Sequence, residues 1–556
     1  MQFKNLSKSS IAMAFLFMSL AAIHAQNQAN QSTPQVQLLP EFRPIGGSGN
    51  NLANPNLNAV PGTPEIALAP LNFAKGTKDG LVPAPNPRTI SNVIAGGTGA
   101  NGQNSETEDP TLSAWLYVFG QFLDHDISLE ETRPDSASID IAVPSGDPVF
   151  PDGTTIAMTR TTRSPATNTI VNTVAGYLDL SQLYGSTPEI AASLRNDDGT
   201  LVSSDNGQEL PVVNDRFVSG DPRVMENPEL TAVTTLFMRE HNYWVGVLKS
   251  QQPSWSGNDL YNMARSLTTA EYQNIVYREY LPALIGSAVG AYKGYDPTVN
   301  AQATQEFSTA AFRVGHSQID DTQEGIDNNG NTVFSESLAD AFFNTPEMDV
   351  ANGFNPLLRS IGAEFSEATD VYSIGVLRNL LFAGLVGGGV DKIDLIAIDI
   401  RRESDVGLGT LNQTRRAIGL SPCNSFSDLT DDPILQRSFK TVYGDIDNVD
   451  LFMGGLAEQH ASGAAVGSTF QTIIAKQFTA LRAGDRFFWQ NQKFEDQTAS
   501  AISNTTLADI LLRNTDTTAR LQNNVFIQHA LGTQPHQHMP APNLVDSHGL
   551  RPSFQY

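Results

Sequence analysis

Apolar side chains recur every three or four positions along much of this chain, which is the pattern of amphipathic helices with one buried face. In the clearest example, Leu112, Trp115, Val118, Phe119 and Phe122 form a single apolar stripe. The same spacing predicts further helices at 230–248, 260–284, 370–385, 447–458, 467–483 and 506–514. The pattern therefore predicts a mainly α protein.

Interruptions of this helical pattern are few. Pro282 predicts a turn or kink inside the helix at 260–284, because proline lacks the N–H that a helix interior needs. Strand-like stretches are short, as at 154–158. No repeat of 20–50 residues occurs, and no internal boundary is evident. One large domain with few short strands is the simplest interpretation.

The helix predicted around 115–126 ends in three ionisable residues, Asp124, His125 and Asp126. Gln121 lies four residues before His125, so the two side chains share one face of the helix. Burying two carboxylates and an imidazole at a helix end is costly unless each has a partner. This helix end is therefore the first candidate for a functional site.

Composition limits the class of protein. The chain has 556 residues, of which 40% are hydrophobic, enough for a large core. Its net charge of −25, with no basic stripe, argues against a nucleic-acid partner. Cys423 is the single cysteine, so no intrachain disulfide can form. Packing, with or without a bound metal, must hold the fold.

The N-terminus has the features of a secretory signal. Lys4 and Lys8 precede an apolar run at 11–23 that is too short to span a membrane. Cleavage after Ala25 would make 1–25 a signal peptide and the protein secreted, extracellular or periplasmic, which suits a bacterial envelope or secreted protein. A membrane anchor is the alternative. No other segment predicts stable membrane insertion. The remaining units are predicted as an extended arm at 26–60, the large domain at 61–533 and a tail at 534–556.

Three further stretches hold residue types that could cleave a peroxide at iron. Arg223 and Glu226 lie three apart, His316 ends a short apolar segment, and Asp399 and Arg402 follow an apolar run. One histidine can ligate haem iron while its second ring nitrogen donates to an acceptor. A second histidine can move a proton between the peroxide oxygens, and a cation and an amide can stabilise charge. A lone buried histidine is more often structural, so only the combination favours a haem peroxidase site.

The chain resembles the animal haem peroxidase family, and the resemblance covers about residues 40–530. The distal-helix motif Phe-Gly-Gln-Phe-Leu-Asp-His-Asp stands at 119–126. Further segments that match the family in order lie at 50–56, 87–92, 177–186, 236–242, 311–316, 450–455 and 483–489. Eight ordered motifs make a chance match very improbable. The family's fold is a single large, mainly helical peroxidase domain, which agrees with the periodicity.

The resemblance implies roles for four residues of the reaction centre. His125 corresponds to the distal acid and base, with Gln121 beside it to hold water or a halide. Arg223 corresponds to the distal arginine, and His316 to the proximal ligand of the haem iron.

Five more residues correspond to the family's haem-binding set. Asp124 and Glu226 match acids that form ester bonds to haem methyl groups in mammalian members. The resemblance therefore implies haem b, with these two acids as the points of covalent attachment. Arg313 and Arg402 match arginines that hold the propionates, which suits their bidentate geometry. Asp399 matches the partner of the proximal imidazole.

The resemblance also implies a calcium site next to the distal histidine. Asp126, Asp179 and Ser181 would contribute side-chain oxygens, and Ala175 and Tyr177 would contribute backbone carbonyls. Oxygen ligands in a short loop suit a hard cation. An ordinary helix cap is the alternative for Asp179 and Ser181 taken alone.

Among the departures from the family pattern, which include Ser404 and Val406, three bear on the calcium site and the haem. Ala175 stands where threonine is common, so the calcium site lacks one side-chain oxygen. Asn227 stands where one mammalian member, myeloperoxidase, has a methionine bonded to haem, so that bond should be absent. Asp399 stands where mammalian members have asparagine, and a carboxylate makes the proximal imidazole more anionic. The last two departures predict a low iron potential and donors easier to oxidise than chloride.

The resemblance thus implies an exported peroxidase that reduces hydrogen peroxide. Through a ferryl intermediate it would oxidise a small anionic or aromatic donor: bromide, iodide, thiocyanate or a phenol. A fatty-acid dioxygenase of the same superfamily is one alternative, but such enzymes need a tyrosine three residues before the proximal histidine, where this chain has Arg313. A catalytically inactive, adhesion-type relative is the other. Retention of Gln121, His125, Arg223 and His316 together argues against it.

Overall fold

The computed structural model describes residues 36–73, 85–96, 108–132, 137–204, 207–342, 353–383, 390–518 and 521–528. The predicted signal peptide and C-terminal tail lie outside these ranges. Within them the protein is mostly helical, which confirms the predicted fold class. Ten helices have eight residues or more: α1 (Trp115–Ile127), α2 (Pro228–Gln251), α3 (Gly257–Ile275), α4 (Phe354–Ala363), α5 (Leu395–Val406), α6 (Leu411–Ile418), α7 (Pro433–Tyr443), α8 (Ser468–Ala483), α9 (Asp496–Asn504) and α10 (Leu507–Asn514).

Shorter elements connect these helices. The short α-helices are Pro87–Ile90, Ser181–Tyr184, Pro188–Ser193, Leu281–Ile285, Gln305–Thr309, Leu338–Ala341, Gly375–Asn379, Phe426–Leu429 and Leu451–Ala457. Short 3₁₀ or π segments occupy Ile45–Gly47, Pro55–Leu57, Ser91–Ala95, Val276–Tyr280, Ala311–Ser317, Ile446–Asn448 and Trp489–Asn491.

The strands of the described ranges form only two-stranded antiparallel ladders. The strands are β1 (Thr63–Pro64), β2 (Glu108–Ser113), β3 (Ile141–Ala142), β4 (Thr155–Ile156), β5 (Val171–Asn172), β6 (Val212–Val213), β7 (Arg216–Phe217), β8 (Thr322–Ile326), β9 (Thr332–Ser337), β10 (Phe365–Glu367), β11 (Leu380–Ala383) and β12 (Val390–Ile393). The strand-like stretch at 154–158 is β4, paired with β3. Because no sheet has a third strand here, helix packing supplies the core.

Helix α1 lies at the centre of the largest hydrophobic cluster. Its aromatic stripe is fully buried, as the three- and four-residue spacing predicts. Phe122 stacks on Phe237 of α2 with ring centroids 5.1 Å apart, and meets Tyr272 of α3 edge-on at 5.9 Å. Burying each such ring contributes roughly 1.5–3 kcal/mol to stability. This packing fixes the direction in which the C-terminal end of α1 points.

The helix predicted at 260–284 is interrupted close to Pro282. Helix α3 ends at Ile275, a π turn spans Val276–Tyr280, and a new short helix begins at Leu281. The proline ring would clash with the carbonyl four residues earlier in a continuous α-helix, and a wider turn relieves that clash. The predicted turn is therefore confirmed, as a π turn just before the proline.

The helix predicted at 370–385 is wrong. The chain forms only the short helix Gly375–Asn379 and then enters β11, which pairs with β12. Short apolar runs do not distinguish a helix from a strand by periodicity. Four glycines among residues 384–389 of the sequence also disfavour a long helix. Residues 384 and 385 of this prediction lie outside the described ranges.

The other predicted helices match α2, α8 and α10, and the one at 447–458 divides into Ile446–Asn448 and Leu451–Ala457. The described part of the predicted arm packs on this helical body. Val36 and Leu39 join a cluster with Trp244, and Arg43 pairs with Asp485 at 2.5 Å. Among the described helices, none has the length and hydropathy that crossing a bilayer requires.

Candidate active site

A cavity of about 410 Å³ lies between α1 and the segment Ala311–Ser317. That volume falls within the range of small-molecule and cofactor pockets. Nine residues singled out from the sequence line it: Gln121, Asp124, His125, Arg223, Glu226, Asn227, Arg313, His316 and Arg402. Residues separated by almost 300 positions in the chain thus meet at one cavity, and Asp399 lies behind His316.

His125 enters the cavity wall from the last turn of α1. Its side chain is only 6% exposed. Burial, with help from the positive charge of Arg223, lowers the pKa of His125 to about 3. The imidazole is therefore neutral at ordinary pH and can accept a proton.

Asp221 holds Arg223 beside His125. Arg223 donates through Nε to Asp221 Oδ1 at 2.9 Å and through Nη2 to Asp221 Oδ2 at 2.8 Å, a bidentate pair. Nη2 also donates to the carbonyl oxygens of Ser128, at 2.9 Å, and His125, at 3.5 Å. Burial alone would raise the pKa of Asp221, but Arg223 holds it below its usual value. Sequence reasoning missed Asp221, although its position two residues before Arg223 could have drawn attention.

Gln121, Glu226 and Asn227 form a chain of hydrogen bonds along the same wall. Asn227 Nδ2 donates to Gln121 Oε1 at 2.8 Å, and Gln121 Nε2 donates to Glu226 Oε2 at 3.0 Å. Glu226 Oε2 lies 3.7 Å from His125 Nε2. Asn227, which was expected only to lack a bond to haem, therefore contacts Gln121, which is expected to hold water or a halide.

The two acids expected to attach haem face the cavity. Burial raises the pKa of Asp124 to about 6 and that of Glu226 to about 7, although Arg223 opposes both shifts. Asp124 Oδ2 lies 3.9 Å from Arg223 Nη1. Both carboxyls can therefore exchange protons near neutral pH.

On the other wall, His316 is backed by Asp399 of α5. His316 Nδ1 lies 2.6 Å from Asp399 Oδ2, and Arg313 Nη1 donates to Asp399 Oδ1 at 2.7 Å. Burial would raise the pKa of Asp399, but His316 and Arg313 hold it below its usual value. An ionised carboxylate only accepts, so His316 carries its hydrogen on Nδ1. In the neutral imidazole the lone pair then lies on Nε2, as in a metal-ligating histidine.

Glu130, which sequence reasoning missed, connects the two arginines expected at the propionates. Arg313 Nη2 donates to Glu130 Oε1 at 2.7 Å, and Arg402 Nε lies 3.3 Å from Glu130 Oε2. Arg402 also donates to Asp405 Oδ2 at 2.9 Å. Cofactor carboxylates would therefore share these guanidiniums with acids of the chain. No periodic signal marks Glu130, since only the tertiary fold brings it to Arg313 and Arg402.

Three of the expected calcium residues, Asp126, Asp179 and Ser181, also come together. Asp126 accepts hydrogen bonds from the backbone N–H groups of Asp179, Leu180 and Ser181 at 3.0, 3.1 and 2.5 Å. Ser181 Oγ donates to the Asp126 carbonyl at 2.8 Å. Ala175 and Tyr177 are buried in the same loop. Leu180 has φ of 58° and ψ of 38°, a left-handed conformation that costs a leucine about 1–2 kcal/mol. The bonds to Asp126 hold this strained turn.

The residues present fit a haem group. His316 Nε2 has no hydrogen-bond partner within the described ranges, and it lines the cavity. Beside it, a Cβ atom added at Gly315 would meet only Tyr117, at 3.9 Å, so the space is open. Carboxyls, guanidiniums and two histidines are the donor set that a haem with two propionates requires.

The residues around Asp126 fit a cation more weakly. Asp179 Oδ1 is buried without a hydrogen-bond partner among the described residues. Burial and the neighbouring Asp179 raise the pKa of Asp126, so a positive charge between the carboxyls would stabilise both. Arg265 Nη2, 3.8 Å from Asp179 Oδ2, supplies part of that charge. Within the described chain no three His, Cys, Asp or Glu side chains form a metal cluster, so carbonyl and hydroxyl oxygens would have to complete the shell.

His241, in the family-matching segment 236–242, is buried away from the cavity. Its Nδ1 lies 3.0 Å from Tyr184 Oη and its Nε2 lies 3.0 Å from the Gly199 carbonyl. Both ring nitrogens are satisfied inside the core, and the residue does not line the cavity. His241 therefore has a structural role.

Comparison with known proteins gives matches over most of the chain. A family model described as animal haem peroxidase matches residues 42–526. Peroxinectin A of Dictyostelium discoideum is 34% identical over 524 residues, covering 87% of this chain and 96% of that protein. The solved structure of peroxidase A from Dictyostelium discoideum superposes with a TM-score of 0.77 at 32% identity, covering 88% of this chain and 100% of that one. The solved structure of the fatty acid alpha-dioxygenase of Arabidopsis thaliana has a TM-score of 0.74 at 20% identity, covering 90% of this chain and 88% of that one. At that identity the likeness shows the fold alone.

Proposed function

This chain belongs to the animal haem peroxidase family, and we propose that it couples the reduction of hydrogen peroxide to oxidation of bromide, iodide, thiocyanate or a phenol. The family and the named peroxidase relatives make it a haem peroxidase. The choice of donor is the proposal. The observation that supports this choice best is the ionised Asp399, 2.6 Å from Nδ1 of His316, because it would make the imidazole a stronger electron donor to iron.

We assign the proton transfer to His125. Bound haem would supply the iron that takes up the peroxide and the electrons that break its O–O bond. His125, buried and neutral beside Arg223, takes a proton from one peroxide oxygen and returns it to the other, which leaves as water. Arg223 places its fixed charge at the same wall, where it stabilises negative charge as the bond breaks.

His316 and the acids of the cavity would hold the cofactor. His316 would hold the iron through Nε2, and Arg402 with Arg313 would share Glu130 and a propionate. Asp124 and Glu226 would form esters. In each, a carboxyl oxygen bonds to a methyl carbon in place of one hydrogen, and hydrogen peroxide is the two-electron oxidant, reduced to two waters. Their raised pKa values leave both acids partly protonated near neutral pH.

The proposed donors follow from a low iron potential. The ionised Asp399 accepts from His316 Nδ1 at 2.6 Å and makes the imidazole a stronger electron donor. Asn227 cannot form the haem bond that a methionine forms at this position in myeloperoxidase. Both features favour donors that are easier to oxidise than chloride.

Asp399→Asn is expected to raise the reduction potential of the bound haem iron. An amide oxygen accepts the hydrogen bond from His316 Nδ1 less strongly than a carboxylate does, so the imidazole donates less electron density to the iron. Spectroelectrochemical titration of the holoprotein measures the shift. Asp405→Asn is the matched control, the same change on the same helix but paired with Arg402 and Arg160 instead of His316. A potential that is unchanged in Asp399→Asn, or equally raised in the control, contradicts the assignment.

We also propose that calcium binds Asp126, Asp179 and Ser181, with carbonyls of Ala175 and Tyr177. The unpartnered Asp179 Oδ1 supports this. Removing the ion with a chelator should lower the free energy of unfolding by roughly 2–3 kcal/mol for a site filled at 100 times its dissociation constant. Calcium should restore the loss and magnesium should not. Purified protein that contains no calcium by elemental analysis would refute the proposal.

The donor proposal is tested with purified holoprotein. An absorption spectrum before and after acid–organic extraction reports haem and its covalent attachment together. Steady-state rates are then compared across chloride, bromide, iodide, thiocyanate and a phenol. Chloride as the best donor contradicts the low-potential argument. Oxygen uptake with linoleate would indicate dioxygenase activity instead, and absence of peroxide-dependent dye oxidation would indicate an inactive relative.

Export is a separate proposal, supported by Lys4, Lys8 and the apolar run at 11–23. N-terminal sequencing of protein recovered outside the cytoplasm should begin at Gln26. A mature chain that retains Met1 would refute cleavage.

A further inference from the structure

The side chain of Asn227 is fixed at both ends. Its Oδ1 accepts from the backbone N–H of Leu230 at 2.8 Å, which caps the N-terminus of α2. Its Nδ2 donates to Gln121 Oε1 at 2.8 Å. Asn227 is 8% exposed, so water does not compete freely for either contact.

The donor and acceptor roles in these contacts are fixed. A backbone N–H can only donate, so it must face the oxygen of Asn227, and the Asn227 amide nitrogen must then face Gln121. Gln121 in turn must offer its oxygen to Asn227 and its nitrogen to Glu226, where the donor–acceptor distance is 3.0 Å. The helix backbone thus decides which way the Gln121 amide points.

We propose that Asn227 is a positioning residue that locks the Gln121 amide with its N–H groups toward Glu226 and the cavity. The Gln121 amide then offers its second N–H, and not its oxygen, to an anion in the cavity. The inference rests on the proposed use of anionic donors, and extends it by naming what makes the wall selective for them. A phenol, which can donate as well as accept, depends less on this orientation.

Simple helix capping is the competing explanation, and variants separate it from the lock. Asp and Ser cap helices about as well as Asn. Asn227→Asp keeps the cap but turns a carboxylate oxygen toward Gln121, which reverses the amide. Asn227→Ser keeps the cap and cannot reach Gln121. Ser256→Ala removes the cap of α3, at a site that does not line the cavity.

Thiocyanate binding to the holoprotein, followed at the Soret band, gives the first readout. In Asn227→Asp, loss of one hydrogen bond to the anion should weaken thiocyanate binding about tenfold or more. A smaller loss is expected in Asn227→Ser. In both variants the unfolding midpoint should stay near that of the unaltered protein, and phenol turnover should fall by a smaller factor than thiocyanate binding. Equal losses for thiocyanate and phenol, or the same loss in Ser256→Ala, would overturn the proposal.

A second readout does not depend on which electron donor the protein uses. A hydrogen-bond donor near bound carbon monoxide lowers the C–O stretching frequency, so the frequency in the reduced carbon monoxide form should rise in Asn227→Asp. If unaltered protein fails to bind thiocyanate but the frequency rises, the anionic-donor proposal fails and the lock stands. A frequency that is the same in all variants shows that Asn227 only caps α2.

Discussion

Replacing His125 with alanine should slow the reaction with hydrogen peroxide by roughly 10²–10⁴-fold, the usual contribution of a positioned acid–base group. The imidazole is the only one in the distal wall of the described cavity, and it contacts neither Asp399 nor the propionate arginines. Haem content and the Soret band should therefore be retained. Stopped-flow absorbance after mixing with peroxide measures the rate constant directly.

His241→Gln is the control for this experiment. His241 is as buried as His125 but is hydrogen-bonded to Tyr184 and Gly199, away from the cavity. The control should lose stability and keep its rate constant. If His125→Ala reacts with peroxide at the unaltered rate while binding haem normally, another group moves the proton, and the proposed mechanism is wrong.

Asp126→Ala should destabilise the fold by more than about 3 kcal/mol, because it leaves three buried backbone N–H groups without acceptors, at about 1–3 kcal/mol each. The same bonds hold Leu180 in its left-handed conformation, so the loop should also relax. Guanidinium unfolding and the rate of thermal inactivation measure the effect. This prediction does not require that calcium be bound.

Ser181→Ala is the graded comparison, since it removes a single hydrogen bond to the Asp126 carbonyl. It should cost about 1 kcal/mol. If the two variants are equally stable, Asp126 does not organise the loop. If Asp126→Ala is stable but slow with peroxide, the loop influences His125 without holding the fold.

The sequence predicted the local features and missed those that depend on tertiary contacts. The stripe ending at His125 is a short-range pattern, and family motifs pointed to His316 and Arg223. Glu130 had no comparable signal and Asp221 only its place two residues before Arg223, because their importance arises from paired charges that the fold brings together. The helix at 370–385 failed for the same reason, since pairing of β11 with β12 outweighed the helical tendency of an apolar run.

Arg223 limits how this site could be re-engineered. Its guanidinium faces the cavity and also donates to the carbonyls of Ser128 and His125, at the C-terminal end of α1. Any residue chosen there to alter donor preference would also have to hold that helix end. A lysine has the charge but not the planar fork that reaches Asp221 and the carbonyls together. Directed evolution of new donors should therefore find more tolerated changes at 227 than at 223.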